Sequence, residues 1–226
     1  MWRSIRPGLT LQVLAATGLA LLAGCSSTAP SSTPLQGAGS VKTETRAVPE
    51  FAVVEVRHGV KLELTVGAAA KVELVAQENL LPVATTTVAD GRLTVDTSRD
   101  YASADGITVR ITAPTLEELV LAGGASGRAA GIQATDFRVR TDGIATLALS
   151  GTAESLTLNA KGGGQLDFAD LTTTGASVDL AGGVKVTLTA TQSVTGSAVG
   201  GVVLTVMGNP PTVDVSTTGG AVVTKG

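Results

Sequence analysis

The sequence predicts an all-β protein: a parallel β-helix, or solenoid, with turns of about 19 residues, preceded by a strand-rich N-terminal lobe. Three observations predict it. Gly123, Gly143, Gly162, Gly182, Gly200 and Gly219 follow one another at intervals of 20, 19, 20, 18 and 19 residues. Apolar residues hold fixed positions relative to those glycines. Helical periodicity is nowhere sustained for the roughly ten residues that a helix requires.

The chain opens with Arg3 and Arg6, an apolar run from Leu9 to Leu22, and the tetrapeptide Leu-Ala-Gly-Cys ending at Cys25. That layout is a secretory signal with a small-residue cleavage site, and its apolar run is short of the roughly 20 residues that span a bilayer. The Leu-Ala-Gly-Cys run resembles the lipobox of bacterial lipoproteins. The resemblance implies that residues 1–24 are removed and that Cys25, the only cysteine, is lipidated and anchors the protein to a membrane. Ser26 follows it in place of the aspartate that, in lipoproteins of two-membraned bacteria, holds them at the inner membrane. A lipid-anchored place in the cell envelope, at the outer membrane, is therefore expected.

Removing Arg3 and Arg6 leaves 14 basic side chains against 19 acidic ones. A nucleic-acid partner is excluded on that balance, because phosphates need a basic face. A lone cysteine gives neither a disulfide nor a thiolate metal site. Residues 25–48 are rich in Ser, Thr, Pro and Gly with few large apolar side chains, so they read as a lipidated N-terminus and a flexible tether.

The folded domain is expected over residues 49–226, with the N-terminal lobe at 49–115. There Val54, Val56, Val60, Leu62, Leu64 and Val66 alternate with polar neighbours, and turn signals fall at His58-Gly59, Val66-Gly67 and Asp90-Gly91. A further strand, Ile107 to Ala113, stops at Pro114. His58 is the only histidine, and its place beside Gly59 reads as a turn rather than a metal ligand or general base.

Residues 116–226 carry the repeats. Five of the six spaced glycines are followed by a second glycine, Ile144 being the exception. Counting from that second position, Leu119, Val139, Leu158, Val178, Gly196 and Val215 stand five residues before it, with Gly127, Leu147, Leu166, Val186, Leu204 and Val223 three after. Ala129, Leu149, Phe168, Leu188, Val206 and Lys225 stand five after it. A unit of this length makes one circuit of a coil, and stacking circuits about 4.8 Å apart turns each apolar position into a continuous ladder. The glycine pairs are expected at tight corners that a Cβ would obstruct. The uncapped C-terminal end of such a coil predicts a route to oligomerisation.

The opening "FAVVEVRHGVKLELTVG", the stretch "ENLLPVATTTVADGRLTV" and the glycine corners of "LAGGASG", "AKGGGQL" and "LAGGVKV" resemble the head GIN domain family of auto-transporter adhesin domains. The resemblance covers about Phe51 to Lys225. It implies a β-helical fold at the cell envelope and brings no catalytic residues.

The function expected is accordingly that of a non-enzymatic envelope lipoprotein acting as an adhesion, binding or structural module. Its partners would be the membrane, through the lipid on Cys25, and an envelope protein or surface glycan. The rival reading is a polysaccharide lyase or hydrolase, which would need two carboxylates facing across a cleft. Asp142 and Lys161 share one column on successive turns, and Arg140, Asn159 and Asp179 share another; such columns read as surface ladders. Gly162 to Phe168 lacks the calcium-binding nonapeptide pattern, since Gln165 stands where glycine is required, so neither a metal nor a cofactor is expected.

Overall fold

Alternation of apolar and polar side chains decides which face of each strand points inward. The computed structural model describes residues 33–67 and 69–226, and among them there are strands and turns but no helix. In chain order the strands are β1 (Leu35–Gln36), β2 (Val41–Arg46), β3 (Val53–Val56), β4 (Lys61–Val66), β5 (Lys71–Gln77), β6 (Ala84–Ala89) and β7 (Arg92–Thr97). They continue with β8 (Tyr101–Ala102), β9 (Thr108–Ala113), β10 (Glu118–Ala122), β11 (Ser126–Gly200), β12 (Val203–Met207), β13 (Thr212–Gly219) and β14 (Val222–Lys225). In β4, Leu62 and Leu64 are buried while Lys61 and Thr65 face solvent, and β10 buries Leu119 and Leu121 in the same way.

All but β1 and β8 join one 12-stranded sheet, which wraps almost closed, barrel-like, around its apolar interior. The 75 residues of β11 laid straight would reach about 250 Å, so that strand must turn repeatedly. It bends at glycines with positive φ, among them Gly143, Gly162, Gly182 and Gly200. Its neighbours pair with it in parallel. Leu119 sits opposite Val139, Val186 opposite Leu204, and Gly200 opposite Gly219, offsets of 20, 18 and 19 residues. Those offsets are the glycine intervals of the sequence.

The N-terminal strands mix directions. β3 pairs in parallel with β7 and β10, and β4 with β9 and β11, whereas β2–β5, β5–β9 and β6–β7 are antiparallel. One core runs through both parts, from Phe51 and Val54 to Phe137, Phe168 and Val206.

Residues 33–48 correct the expected tether. Instead of remaining loose, Val41 to Arg46 form β2, hydrogen-bonded along β5 from Val41 opposite Gln77 to Arg46 opposite Val72. Composition misled because β2 buries almost nothing: five of its six residues are exposed, and it is held by the backbone edge of β5. β2 thereby becomes the terminal strand of the sheet, and Lys42, Glu44 and Arg46 put charge along the new edge, which disfavours strand-to-strand aggregation. Residues 1–24 and Cys25 lie outside the described residues.

Candidate functional site

The spaced glycines all have positive φ: 62° at Gly123, 91° at Gly143, 116° at Gly162, 103° at Gly182, 95° at Gly200 and 76° at Gly219. From Gly143 onward each lies against the backbone of the glycine one repeat earlier, while Gly123 lies against the backbone of His58. A Cβ on Gly162 would collide with the carbonyl of Gly143, and one on Gly182 with the carbonyl of Gly162; on Gly200 it would stand 2.8 Å from the Gly182 oxygen. The second positions are less constrained. Gly124 keeps a positive φ of 83°, but it, Gly163 and Gly183 all have open space around the missing Cβ, and Gly163 and Gly183 have no positive φ. The expectation that a Cβ would obstruct both members of each pair is therefore corrected. Ile144 fits this: it occupies a second position and is 71% exposed.

Beside the corners, threonines tie neighbouring segments together. Thr173, buried, donates to the carbonyl of Thr189 at 2.8 Å, and the Thr189 hydroxyl donates to the carbonyl of Ala169 at 2.7 Å. Thr191 donates in turn to the Thr173 carbonyl.

The charged columns read from the sequence meet strands that the sequence could not bring to them. Arg140 lies opposite Val120, which lies opposite Glu55; Asp142 lies opposite Ala122. Lys161 precedes Gly162, which rests on Gly143, so it stands beside Asp142. Arg140, Asp142, Asn159 and Lys161 thus form one wall of a groove of 460 Å³, and Glu55, Arg57 and Arg92 form the other. Val120 and Ala122 lie between them as a low floor. Asp179 does not line it; its carboxylate accepts a hydrogen bond from Ser197 at 2.9 Å.

The two walls differ electrostatically. Glu55 accepts from Arg57 Nε at 2.6 Å and from Arg92 at 3.4 Å, and Arg92 also reaches Glu118 at 3.2 Å. Arg57 lies 3.8 Å from Asp96. On the opposite wall neither Arg140 nor Lys161 has an acidic group within 4.0 Å among the described residues.

His58 is at a turn with φ 50°, and the carboxylate of Asp96, far from it in the chain, lies in hydrogen-bond contact with its Nδ1 at 2.5 Å. Nearby, Tyr101 donates to the Gly59 carbonyl at 3.1 Å, and burial pushes its phenol above the usual value against the opposing effect of a backbone hydrogen bond from Ile107. Among the described residues no three His, Cys, Asp or Glu side chains gather closely enough to hold a metal ion. None of the described segments is a helix long and apolar enough to cross a membrane.

The described residues form a helix-free, all-β body whose sheet carries a charged groove. The sequence of residues 50–210 matches the family described as "Putative auto-transporter adhesin, head GIN domain", and the chain belongs to that family. Among solved structures it is similar to a putative adhesin from Bacteroides fragilis, with 16% identity, a TM-score of 0.66, and coverage of 84% of this chain and 99% of that one. A putative adhesin from Parabacteroides merdae follows at 14% identity and TM-score 0.53, covering 85% of this chain and 98% of that one. A putative lipid binding protein from Parabacteroides distasonis shows 16% identity and TM-score 0.50 over 86% of this chain and all of the other. At these identities the likeness is one of fold. Among curated proteins none matches the sequence.

Proposed function

We propose that this chain is a non-enzymatic cell-envelope lipoprotein whose folded part, from residue 49 onward, is a parallel β-solenoid serving as an adhesion or binding module. The solenoid reading is supported by parallel registers offset by one glycine interval from β10 to β14 and by positive-φ glycines lying against one another. Membership of an adhesin-described family supports a binding role at the cell surface or envelope.

The observation that carries the reading is the run of units from Leu116 to Lys225, in which strand follows strand without a long inserted loop. Such a body presents ranks of side chains at fixed spacing, a surface suited to holding an extended partner. Incubating the purified chain with a panel of surface polysaccharides and envelope proteins tests it. Retention of a partner without cleavage is the expected result, and new reducing or unsaturated sugar ends would overturn it in favour of a hydrolase or lyase.

The anchor belongs to the same proposal. Lipid on Cys25 holds the protein to the outer membrane, so Cys25→Ala releases it into the soluble fraction and removes acyl mass from the N-terminal peptide. A variant that still fractionates with membranes would sink the lipobox reading.

A further inference from the structure

We infer that the groove floored by Val120 and Ala122 is a binding site for the carboxylate group of an acidic glycan, with Arg140 and Lys161 as its anion-holding residues. The inference deepens the binding-module reading and rests on it. It starts from charge. Four cations, Arg57, Arg92, Arg140 and Lys161, line the groove against two carboxylates, Glu55 and Asp142, in a chain whose formal net charge is −3. A local positive excess on an acidic protein attracts anions to that place while the rest of the surface repels them.

The cations are not equivalent. Arg57 and Arg92 are engaged by Glu55, Glu118 and Asp96, so their charge is largely answered within the protein. Arg140 and Lys161 stand on neighbouring segments, with no acidic group within 4.0 Å among the described residues. They sit diagonally, one strand over and two residues along, about 7–8 Å apart, a gap that two long side chains converging on a single oxyanion can bridge.

The carboxylates lining the groove select the kind of anion. A phosphate dianion would meet Glu55 and Asp142 as like charges. A uronic acid brings one negative charge together with hydroxyls, and for these hydroxyls Asp142 and the Asn159 side chain supply acceptors. The floor favours the same ligand: Val120 and Ala122 are short and apolar, leaving depth for the C–H face of a sugar ring without an aromatic platform.

Binding of the full chain to polygalacturonate, compared with its methyl-esterified form and with inorganic phosphate, tests the inference. Wild type is expected to bind polygalacturonate, to lose binding as salt rises, and to ignore the neutral ester. Arg140→Ser and Lys161→Ser, both at exposed positions, each lower affinity by about tenfold or more, the size of one charged hydrogen bond. Lys185→Ser, also exposed but outside the groove, leaves it unchanged. Equal affinity in the groove variants, equal affinity for the ester, preference for inorganic phosphate, or no binding to polygalacturonate would each overturn the inference. Cleavage of the polymer by a chain that still needs Arg140 would instead overturn the non-enzymatic reading and leave the groove assignment standing.

Discussion

The lobe before Leu116 and the repeats after it are built from the same kind of strand but are held by different forces. All nine Lys or Arg ion pairs among the described residues, and the His58–Asp96 contact, fall between Lys42 and Arg128. Beyond Arg128 the described strands are joined by parallel backbone ladders, stacked apolar side chains and threonine hydroxyls. A stretch whose strands repeat at offsets of 18 to 20 residues obtains its specificity from register, which the positive-φ glycines help to set. The lobe, with mixed strand directions and irregular turns, uses charge pairs that only particular neighbours can satisfy.

The glycines offer the strongest way to break this contrast. Gly182→Val places a β-branched residue at φ 103° and drives its Cβ into the Gly162 carbonyl, so about 1–3 kcal/mol is lost to backbone strain alone, with the collision added. Gly200→Val is expected to cost less, its Cβ standing at 2.8 Å, and Gly183→Val to be nearly neutral. Thermal melts rank the three. Equal effects at Gly182 and Gly183 would mean that the corner geometry is not what fixes the register.

Next in size are the threonines. Thr189→Val removes the hydroxyl that reaches the Ala169 carbonyl and should cost about 1 kcal/mol in denaturant melts. A larger loss than at Gly200 would shift the weight from corners to side-chain ties.

The charges of the lobe give smaller and condition-dependent effects. The Arg110 guanidinium, hydrogen-bonded to Glu63, holds that carboxyl below the usual carboxylate range, with Arg128 adding to the effect. Because the native value is depressed, the stabilisation is present above the unfolded carboxylate value and is lost as pH falls through the native one. Melting temperatures followed from neutral pH to about pH 3 should therefore fall more steeply in wild type than in Glu63→Gln. Matching acid slopes would remove Glu63 from the account. At the bottom of the scale, Lys185→Val on the exposed side of a repeat should stay within about 0.5 kcal/mol of wild type.

How far the sequence disclosed the structure follows the same division. In the repeats, Leu119, Val139, Leu158, Val178, Leu147, Leu166, Val186 and Leu204 are buried as their columns require. Gly127 stands in an apolar column with no side chain because a Cβ there would come within 2.5 Å of Leu62. Lys225 interrupts its column and is exposed, opposite the buried Val206. Periodicity made these positions readable because each unit repeats the environment of the last. β2 was not readable, since it is held by backbone pairing that leaves no hydrophobic trace. The groove was half readable: Arg140, Asn159 and Lys161 stood out by spacing, but Glu55 and Arg92 reach them only through β3, β7 and β10 pairing across long stretches of chain. The meeting of His58 with Asp96 was hidden for the same reason.

The exposed strand β2 also has a mechanical consequence. Six register pairs clasp it to β5, and five of its six side chains stay in solvent, so little apolar burial resists its removal. A pull on the chain ahead of Val41 directed across the strand opens the clasp one pair at a time, while a pull along it must shear all six together. Ahead of it β1, paired to β8 through two residues and packed on the core by Leu35, must let go first. The buried core starts at Phe51, so β2 can yield with little disturbance of that core. Its geometry is that of a fuse: tension would open it before the core, and the edge of β5 would remain for it to close upon.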